Sequence, residues 1–475
     1  MQFDRCRQKA RYMLSGLTVA AALIANSAHA SSLADALVGA YNHSGLLEQN
    51  RALLRAADED VAIAAASLKG IVNWSGDITR QLGSSASAQS GGLSTSLAQT
   101  SVSLGITASL QLFDGGADRS RIEATKETVL ATRAALLNVE QLVLLRAATA
   151  YFNVIRQQEF VALSQNNLRL LQQELRAAQD RFDVGEVTRT DVSLAEAAVA
   201  QARSNLAGAE RNLIQAQAEY TNVVGRAPGR LSRLPRLPQV ETGVARAQSV
   251  AVRTHPDLIQ AQHQVAASDL LADAAGLDMN PTITLDGRVA VTEEFGSDDS
   301  QTVGTVGLNV TGPIYRGGAL FATERRALAN RDAARGNLHT VRHDVQQDVV
   351  DAISNLQAAR ASLAASERQI RASRVAFQGV REEATLGART TLDVLDAEQD
   401  LLDAETNRIS AQADQYIAAY SVLESMGLLT ASRLRLPVQQ YDPTAYYNLV
   451  KDGPTKLSKQ GRQLDQVIRA LTPDN

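Results

Sequence analysis

The chain has one cysteine in 475 residues, Cys6, and few aromatic side chains, 4% of the total. Cys6 lies in an N-terminal stretch that reads as a secretory signal over residues 1–30. Arg5, Arg7, Lys9 and Arg11 are basic, Met13 to Ile24 is apolar, and Ala28-His29-Ala30 is an A-x-A cleavage site. The expected mature chain then has no disulfide, no thiol chemistry, no cysteine-based metal site and no cysteine at the cleavage point to carry a lipid. Its balance becomes 43 basic against 50 acidic residues, a net charge of −7, which argues against a nucleic-acid partner. No stretch after the signal reads as long and apolar enough for a membrane helix.

Proline is absent where it would matter most. None of the ten prolines falls between residues 116 and 227, or between 318 and 436. Proline breaks helix interiors, so both gaps permit very long helices. Leu163, Leu168, Leu171 and Leu175 in the first gap, and Ile353, Leu356, Leu363 and Ile370 in the second, recur at helical spacing among polar residues. Each segment has one interruption, at Gly185 and at Gly387. Glycine there suits a helix C′ position, and Thr188 and Thr390 suit the next N-cap. Each is read as a tight helix–turn–helix. The first long helix spans about Asp118 to Val184, or ~100 Å at 1.5 Å per residue. It returns over 189–224. Two further helices are expected near 33–68 and 244–278.

The two interruptions belong to a repeat with a fixed offset of 202 residues. Leu112-Phe113-Asp114-Gly115-Gly116 returns as Ile314-Tyr315-Arg316-Gly317-Gly318, and Gly185, Thr188, Asp191 and Glu196 return as Gly387, Thr390, Asp393 and Glu398. One unit is built twice. The expected divisions are 31–225 for the first repeat, 226–246 for a proline-rich linker, 247–430 for the second repeat and 431–475 for an extension. In that extension Tyr441, Tyr446 and Tyr447 suggest docking on the helices, and the end from Lys451 reads as polar and loosely held.

Strands precede each long helix. Val102, Leu104, Ile106, Ala108 and Leu110 alternate with Ser, Gly and Thr, with a partner through Val72, Trp74 and Ile78. Ile283, Leu285, Val289 and Val291, then Val306, Leu308 and Val310, repeat the pattern. Period-two strands of about 10 residues fit a transmembrane β-barrel, with a soluble sandwich as the alternative. The hairpins are expected near 71–112 and 281–314, joined by loops Ser84–Gln99 and Glu293–Gln301. Four strands cannot close a barrel, and lipid does not tolerate open edges, so two, three or four copies must complete it.

The duplicated order, the F-D-G-G and Y-R-G-G strand-to-helix junctions and the two turns, G-x-x-x-x-T-D-V from Gly185 and G-x-x-x-x-L-D-V from Gly387, resemble the outer-membrane factors of the TolC type over roughly residues 33–430. The resemblance implies an α+β membrane protein and a homotrimer. Four transmembrane strands and long antiparallel helices per chain would give a 12-stranded barrel continued by an α-helical periplasmic tunnel. The implied function is a passive exit duct for type I secretion or tripartite efflux. Its implied partners are outer-membrane lipid, a periplasmic adaptor (membrane fusion protein), and an inner-membrane ABC transporter or other energised pump that supplies the energy. It implies no cofactor and no enzymatic activity.

The same resemblance places Asp393 and Asp396 in an aperture ring, and Arg389, Thr190 and Asp191 in contacts that hold the gate. Gly115, Gly116, Gly185, Gly317, Gly318 and Gly387 are its turn and junction glycines. The chain departs at Ala384 from the family's best-known member, which has a tyrosine link there, so fewer bonds or different ones are expected to hold the tip. Arg389 and Asp396 have Val187 and Leu194 as repeat counterparts, so the second tip is expected to be the one that moves. His339 and His343 are four apart, but without the flanking Glu of H-E-x-x-H they read as a wet helical face rather than a metal site. The expected cargo is a secreted protein such as an RTX toxin. Small-molecule efflux is one alternative, and a non-porous structural or adhesive outer-membrane protein is another.

Overall fold

The computed structural model describes residues 32–86, 94–231, 234–295 and 300–471. The proposed signal, with Cys6, lies outside them. The order of elements runs twice. Helices α1 (Leu33–His43) and α2 (Gly45–Ala66) lead into strands β1 (Ile71–Ala86) and β2 (Ser94–Phe113), then helices α3 (Ala117–Asp183) and α4 (Arg189–Val224). Helices α5 (Val244–Thr254) and α6 (Pro256–Leu277), strands β3 (Thr282–Phe295) and β4 (Ser300–Thr311), and helices α7 (Ala319–Thr385) and α8 (Thr391–Ser425) repeat that order. Helices α9 (Pro443–Val450) and α10 (Lys459–Leu471) close the chain.

The two long helices are 67 residues each. Each expected leading helix is in fact two. The first breaks at Ser44, whose extended ψ of 105° ends α1. The second breaks at His255, where Pro256 opens α6 as its first residue. The expected loops are also shorter than read. β1 and β2 stay paired as far as Ala86 and Ser94, because backbone pairing carries the hairpin beyond its apolar residues. The remaining loop residues, 87–93 and 296–299, lie outside the described set. The segment beyond Lys451 includes a 13-residue helix, α10.

Two compact units divide the chain, and each draws on both repeats. One comprises the chain to Ser44, Glu140–Val244 and Val349–Val438. Its core gathers the few aromatics: Tyr151, Phe152 and Tyr220 are fully buried, and Phe152 stacks on Tyr416 at 4.8 Å between ring centres. Buried Gln141 accepts the Leu429 amide at 3.2 Å. By length and composition one window of α3 is apolar enough to cross a membrane, contrary to expectation. A third of that window is buried (33%), and Leu144, Ala147, Ala148 and Tyr151 of the same helix face the protein core, each with 0% exposure.

The other unit comprises Gly45–Val139, Ala245–Asp348 and the chain from Gln439. It holds one antiparallel sheet in the order β1-β2-β3-β4. Trp74 pairs with Ile106, Ile106 with Val289, and Val289 with Gly304. One row away, Asn73 pairs with Thr107, Thr107 with Arg288, and Arg288 with Thr305. Because side chains alternate along a strand, this register puts Trp74, Ile106, Val289 and most of the large apolar residues on one face, and Asn73, Thr107 and Arg288 on the other. Trp74 and Val306 are each 82% exposed. On the polar face Ser103 donates to Asp77 at 3.0 Å and Ser109 to Asp286 at 2.6 Å. Within the sheet, β1 and β4 each have only one strand neighbour.

The C-terminal segment packs on α2 and α3 in this unit. Tyr446 donates to Glu59 at 2.8 Å, and the Arg51 and Arg133 guanidiniums lie over the rings of Tyr441 and Tyr447. Asp58, fully buried, stands 3.9 Å from Arg133. The repeat partners of these two residues, Asp269 and Arg335, pair at 2.9 Å with both side chains substantially exposed.

Candidate functional site

Both helical turns close in the same way. Beyond the end of α3, the Glu186 amide reaches the Arg181 carbonyl and the Gly185 amide reaches Phe182. Beyond the end of α7, Ala388 reaches Glu383 and Gly387 reaches Ala384. This is the Schellman pattern, and it needs a left-handed residue at C′. Gly185 and Gly387 supply it, with φ of 82° and 80°. The returning helices then start on matched capping boxes. Thr188 Oγ1 and its backbone amide both donate to Asp191, and Thr390 does the same to Asp393. In return the Asp191 and Asp393 amides donate to the threonine hydroxyls, at 3.3 and 3.2 Å.

Asp393 therefore has a structural task besides the one expected of it. Donation from the Thr390 amide and hydroxyl, with the nearby Arg389 charge, holds its carboxyl below the ordinary range. Asp191 is lowered likewise by the Thr188 hydroxyl and amide, and further by the hydroxyl of Thr391 in the other tip. Asp396 is one turn on and exposed, beside a groove lined by Asn167, Gln201 and Asn205. Arg389 pairs with Glu383 of its own tip at 2.9 Å, so within one chain its partner is neither Thr190 nor Asp191. Thr190 is exposed at the start of α4.

What joins the two tips within the chain is a different set of residues. Arg181 Nη2 of α3 donates to the carbonyl oxygen of Ala384 at 3.1 Å, and Arg381 of α7 pairs with Glu174 of α3 at 2.9 Å. Ala384 itself is buried, packed with Phe377 and Val394. The hydrophobic residues interdigitate as well. Leu395 of α8 packs on Leu171, Val199 and Ala202, while Leu170 of α3 packs on the Phe377–Ala384–Val394 cluster. A groove of about 180 Å³ runs between the tips, lined by Glu174, Arg181, Arg381 and Thr391.

Sequence reasoning missed Glu174, Arg181, Arg381 and Glu398. Arginine-to-carbonyl and cross-helix pairs have no sequence signature. The capping boxes did have one, the T-x-x-D spacing from Thr188 and Thr390. The junction glycines behave as expected. Gly115 and Gly116 have φ of 72° and 96°, Gly317 and Gly318 of 60° and 82°, and a Cβ on Gly115 would stand 2.5 Å from the Asn280 amide. The rings of His339 and His343 lie 4.5 Å apart on the exposed face of α7. Among the described residues no group of three potential metal ligands forms.

The comparisons with known proteins agree with this architecture. The family model for outer membrane efflux proteins matches residues 38–226 and 248–428, one stretch for each repeat. The chain is 34% identical to outer membrane efflux protein BepC of Brucella suis over 95% of this chain and 96% of BepC. It is 25% identical to the outer membrane protein TolC of Escherichia coli over 71% of this chain and 70% of TolC. It is 24% identical to the alkaline protease secretion protein AprF of Pseudomonas aeruginosa over 62% of this chain and 63% of AprF. Among solved structures, the CmeC outer membrane channel of Campylobacter jejuni superposes with a TM-score of 0.74 at 16% identity, over 93% of this chain and 90% of that one. The chain belongs to the outer membrane efflux protein family. It is an outer-membrane channel protein with a periplasmic helical portion, and not an enzyme.

Proposed function

We propose that three copies of this chain form a passive export duct whose periplasmic end is the pair of helical tips. The supporting observation is the sheet: four strands in one register, one apolar and one polar face, with β1 and β4 each lacking a second strand neighbour. Unpaired strand edges are not stable in lipid, and pairing β4 of one copy with β1 of the next satisfies them. The polar faces, bearing Asp77, Asp286 and Arg288, then line the lumen. The tips stay shut until a periplasmic adaptor and an energised inner-membrane pump engage them. Asp393 and Asp396 ring the aperture, and Arg389 reaches Thr190 and Asp191 of a neighbouring copy.

A cysteine pair tests the assembly directly. In a Cys6→Ser background, Asn73→Cys in β1 and Asn309→Cys in β4 should give an oxidised ladder ending at three chains on a denaturing gel. A ladder ending at another number, or monomer alone, would overturn the trimer.

For cargo, the full-length likeness to BepC, an efflux protein by name, supports small-molecule efflux. The protein-secretion reading has AprF in its favour. Expression in a host lacking its own outer-membrane ducts separates them. Regained drug resistance supports efflux, and regained secretion of a type I substrate with no change in resistance supports protein cargo.

A further inference from the structure

One carboxylate beside the tips is buried and half-satisfied. Glu398 of α8 is 3% exposed. Its Oε1 accepts from Asn167 Nδ2 of α3 at 2.8 Å, while Oε2 is buried without a hydrogen-bond partner among the described residues. From α3 it also faces Glu174, a like charge, and from α7 Arg381, whose guanidinium is already engaged by Glu174 at 2.9 Å. α4 presents Gln201 and Asn205 to the same groove, neither titratable, and α8 itself adds Asp396 and Gln399. Leu171, Leu395, Ala198 and Ala202 complete the apolar surroundings. The repeat partner, Glu196 of α4, is exposed.

We propose that Glu398 is a proton-controlled positioning residue for the gate: uncharged, it seats α8 against α3 and α4 and keeps the second tip closed, and charged, it drives α8 away from them. This deepens the export-duct reading and rests on it. A neutral carboxyl keeps the Asn167 bond on Oε1 and places no charge on the buried Oε2, which lies beside Leu171, Leu395, Ala198 and Ala202. A carboxylate there has one unsolvated oxygen and Glu174 beside it, and Arg381, paired with Glu174, offsets only part of that cost.

Burial first, and Glu174 second, push the Glu398 carboxyl from 4.5 up to about 7, against Arg381 and the Asn167 amide. A carboxyl raised in the packed state leaves packing undisturbed below the solvated pKa. It weakens packing progressively as pH rises from about 4.5 to about 7, with the full penalty above that. Between pH 6 and pH 8 the packed tip loses roughly tenfold relative to a solvated one.

The test uses the full mature trimer in detergent and in planar bilayers. Hydrogen exchange over residues 391–404, corrected for the intrinsic pH dependence of exchange, should show protection falling about tenfold from pH 6 to pH 8 in the wild type. Channel open probability should rise over the same interval. Glu398→Gln, which keeps the shape and the Asn167 contact, should flatten both curves at the low-pH level. Glu174→Gln, which removes the like charge and frees Arg381, should move the midpoint to lower pH. Glu196→Gln should change neither. Wild-type protection that is flat across this range, or a Glu398→Gln curve matching wild type, overturns the proposal. A trimer that conducts in no condition overturns the duct reading alone, because exchange still reports on Glu398 by itself.

Discussion

Arg181, in the last turn of the first long helix, donates to the backbone oxygen of Ala384 in the second tip at 3.1 Å. The two tips are thus tied through a backbone carbonyl. No side chain at residue 384 is needed to make this bond, which is why alanine suffices there.

Removing that tie should loosen the gate. Arg181→Ala removes about 1 kcal/mol of net hydrogen bonding, enough for a roughly fivefold rise in the open fraction. Adding Arg381→Met, which breaks the pair with Glu174, should raise it further. Single-channel recording is the measurement, and open probability equal to wild type in the double variant would place the hold elsewhere.

Asp393 and Asp396, which we propose ring the aperture, should not be equivalent. Asp393 is engaged by the Thr390 cap, whereas Asp396 is exposed one turn on. Asp396→Asn should therefore reduce the preference for potassium over chloride more than Asp393→Asn does. Asp393→Asn should instead loosen the start of α8, as cap losses do. Reversal potentials in a salt gradient and hydrogen exchange at residues 390–396 distinguish the two effects.

Arg389 serves its own tip through Glu383, so any further tie must cross to another chain. Arg389→Ser with Asp191→Ala should raise single-channel conductance beyond what Glu383→Gln achieves. Equal conductance in the two variants would confine Arg389 to its intrachain pair.

Asp58 carries a pH dependence of the same sign as that of Glu398, in the other unit. Its burial outweighs the Arg133 charge and lifts its carboxyl from 3.8 to about 6. The raised value means that stability declines as pH rises from about 4 to about 6, by at most about 3 kcal/mol. Asp58→Asn should flatten the fall in melting temperature between pH 4.5 and pH 7, read by circular dichroism. A fall as steep as that of the wild type would exclude Asp58 as its source.

The two faces of the sheet should respond oppositely to charge. Val289→Asp on the apolar face puts a carboxylate toward lipid and should prevent stable assembly, at a cost on the order of 2–4 kcal/mol. Thr107→Asp on the opposite face should leave assembly intact and increase cation selectivity. Trimer survival in mild detergent at rising temperature separates the two.

Much of this was legible in the chain because it rests on local rules. Absent prolines marked both 67-residue helices, and glycines with following threonines marked their ends to within a residue or two. Alternation from Val102 to Leu110 gave the strand faces. The splits at Ser44 and Pro256 were less visible, since one extended residue breaks a helix without disturbing its apolar period. Proline at a first helical position was a usable sign of the second split. The links between tips were not legible at all. Arg181 to Ala384, Arg381 to Glu174 and Asn167 to Glu398 join residues about 200 apart or more, and surface-type letters on a helix do not reveal which of them will be buried by another helix.

The paired charges Asp58–Arg133 and Asp269–Arg335 stand at equivalent positions in the two repeats, yet only the first lies beneath the C-terminal tyrosines. Duplication copies letters but not surroundings. The C-terminal segment packs on one copy of the pair, and there the two halves cease to be equivalent. A substitution at Asp58 meets packed neighbours, whereas one at Asp269 meets solvent. The extension thereby gives two matching pairs of residues two different surroundings, and so two different physical roles.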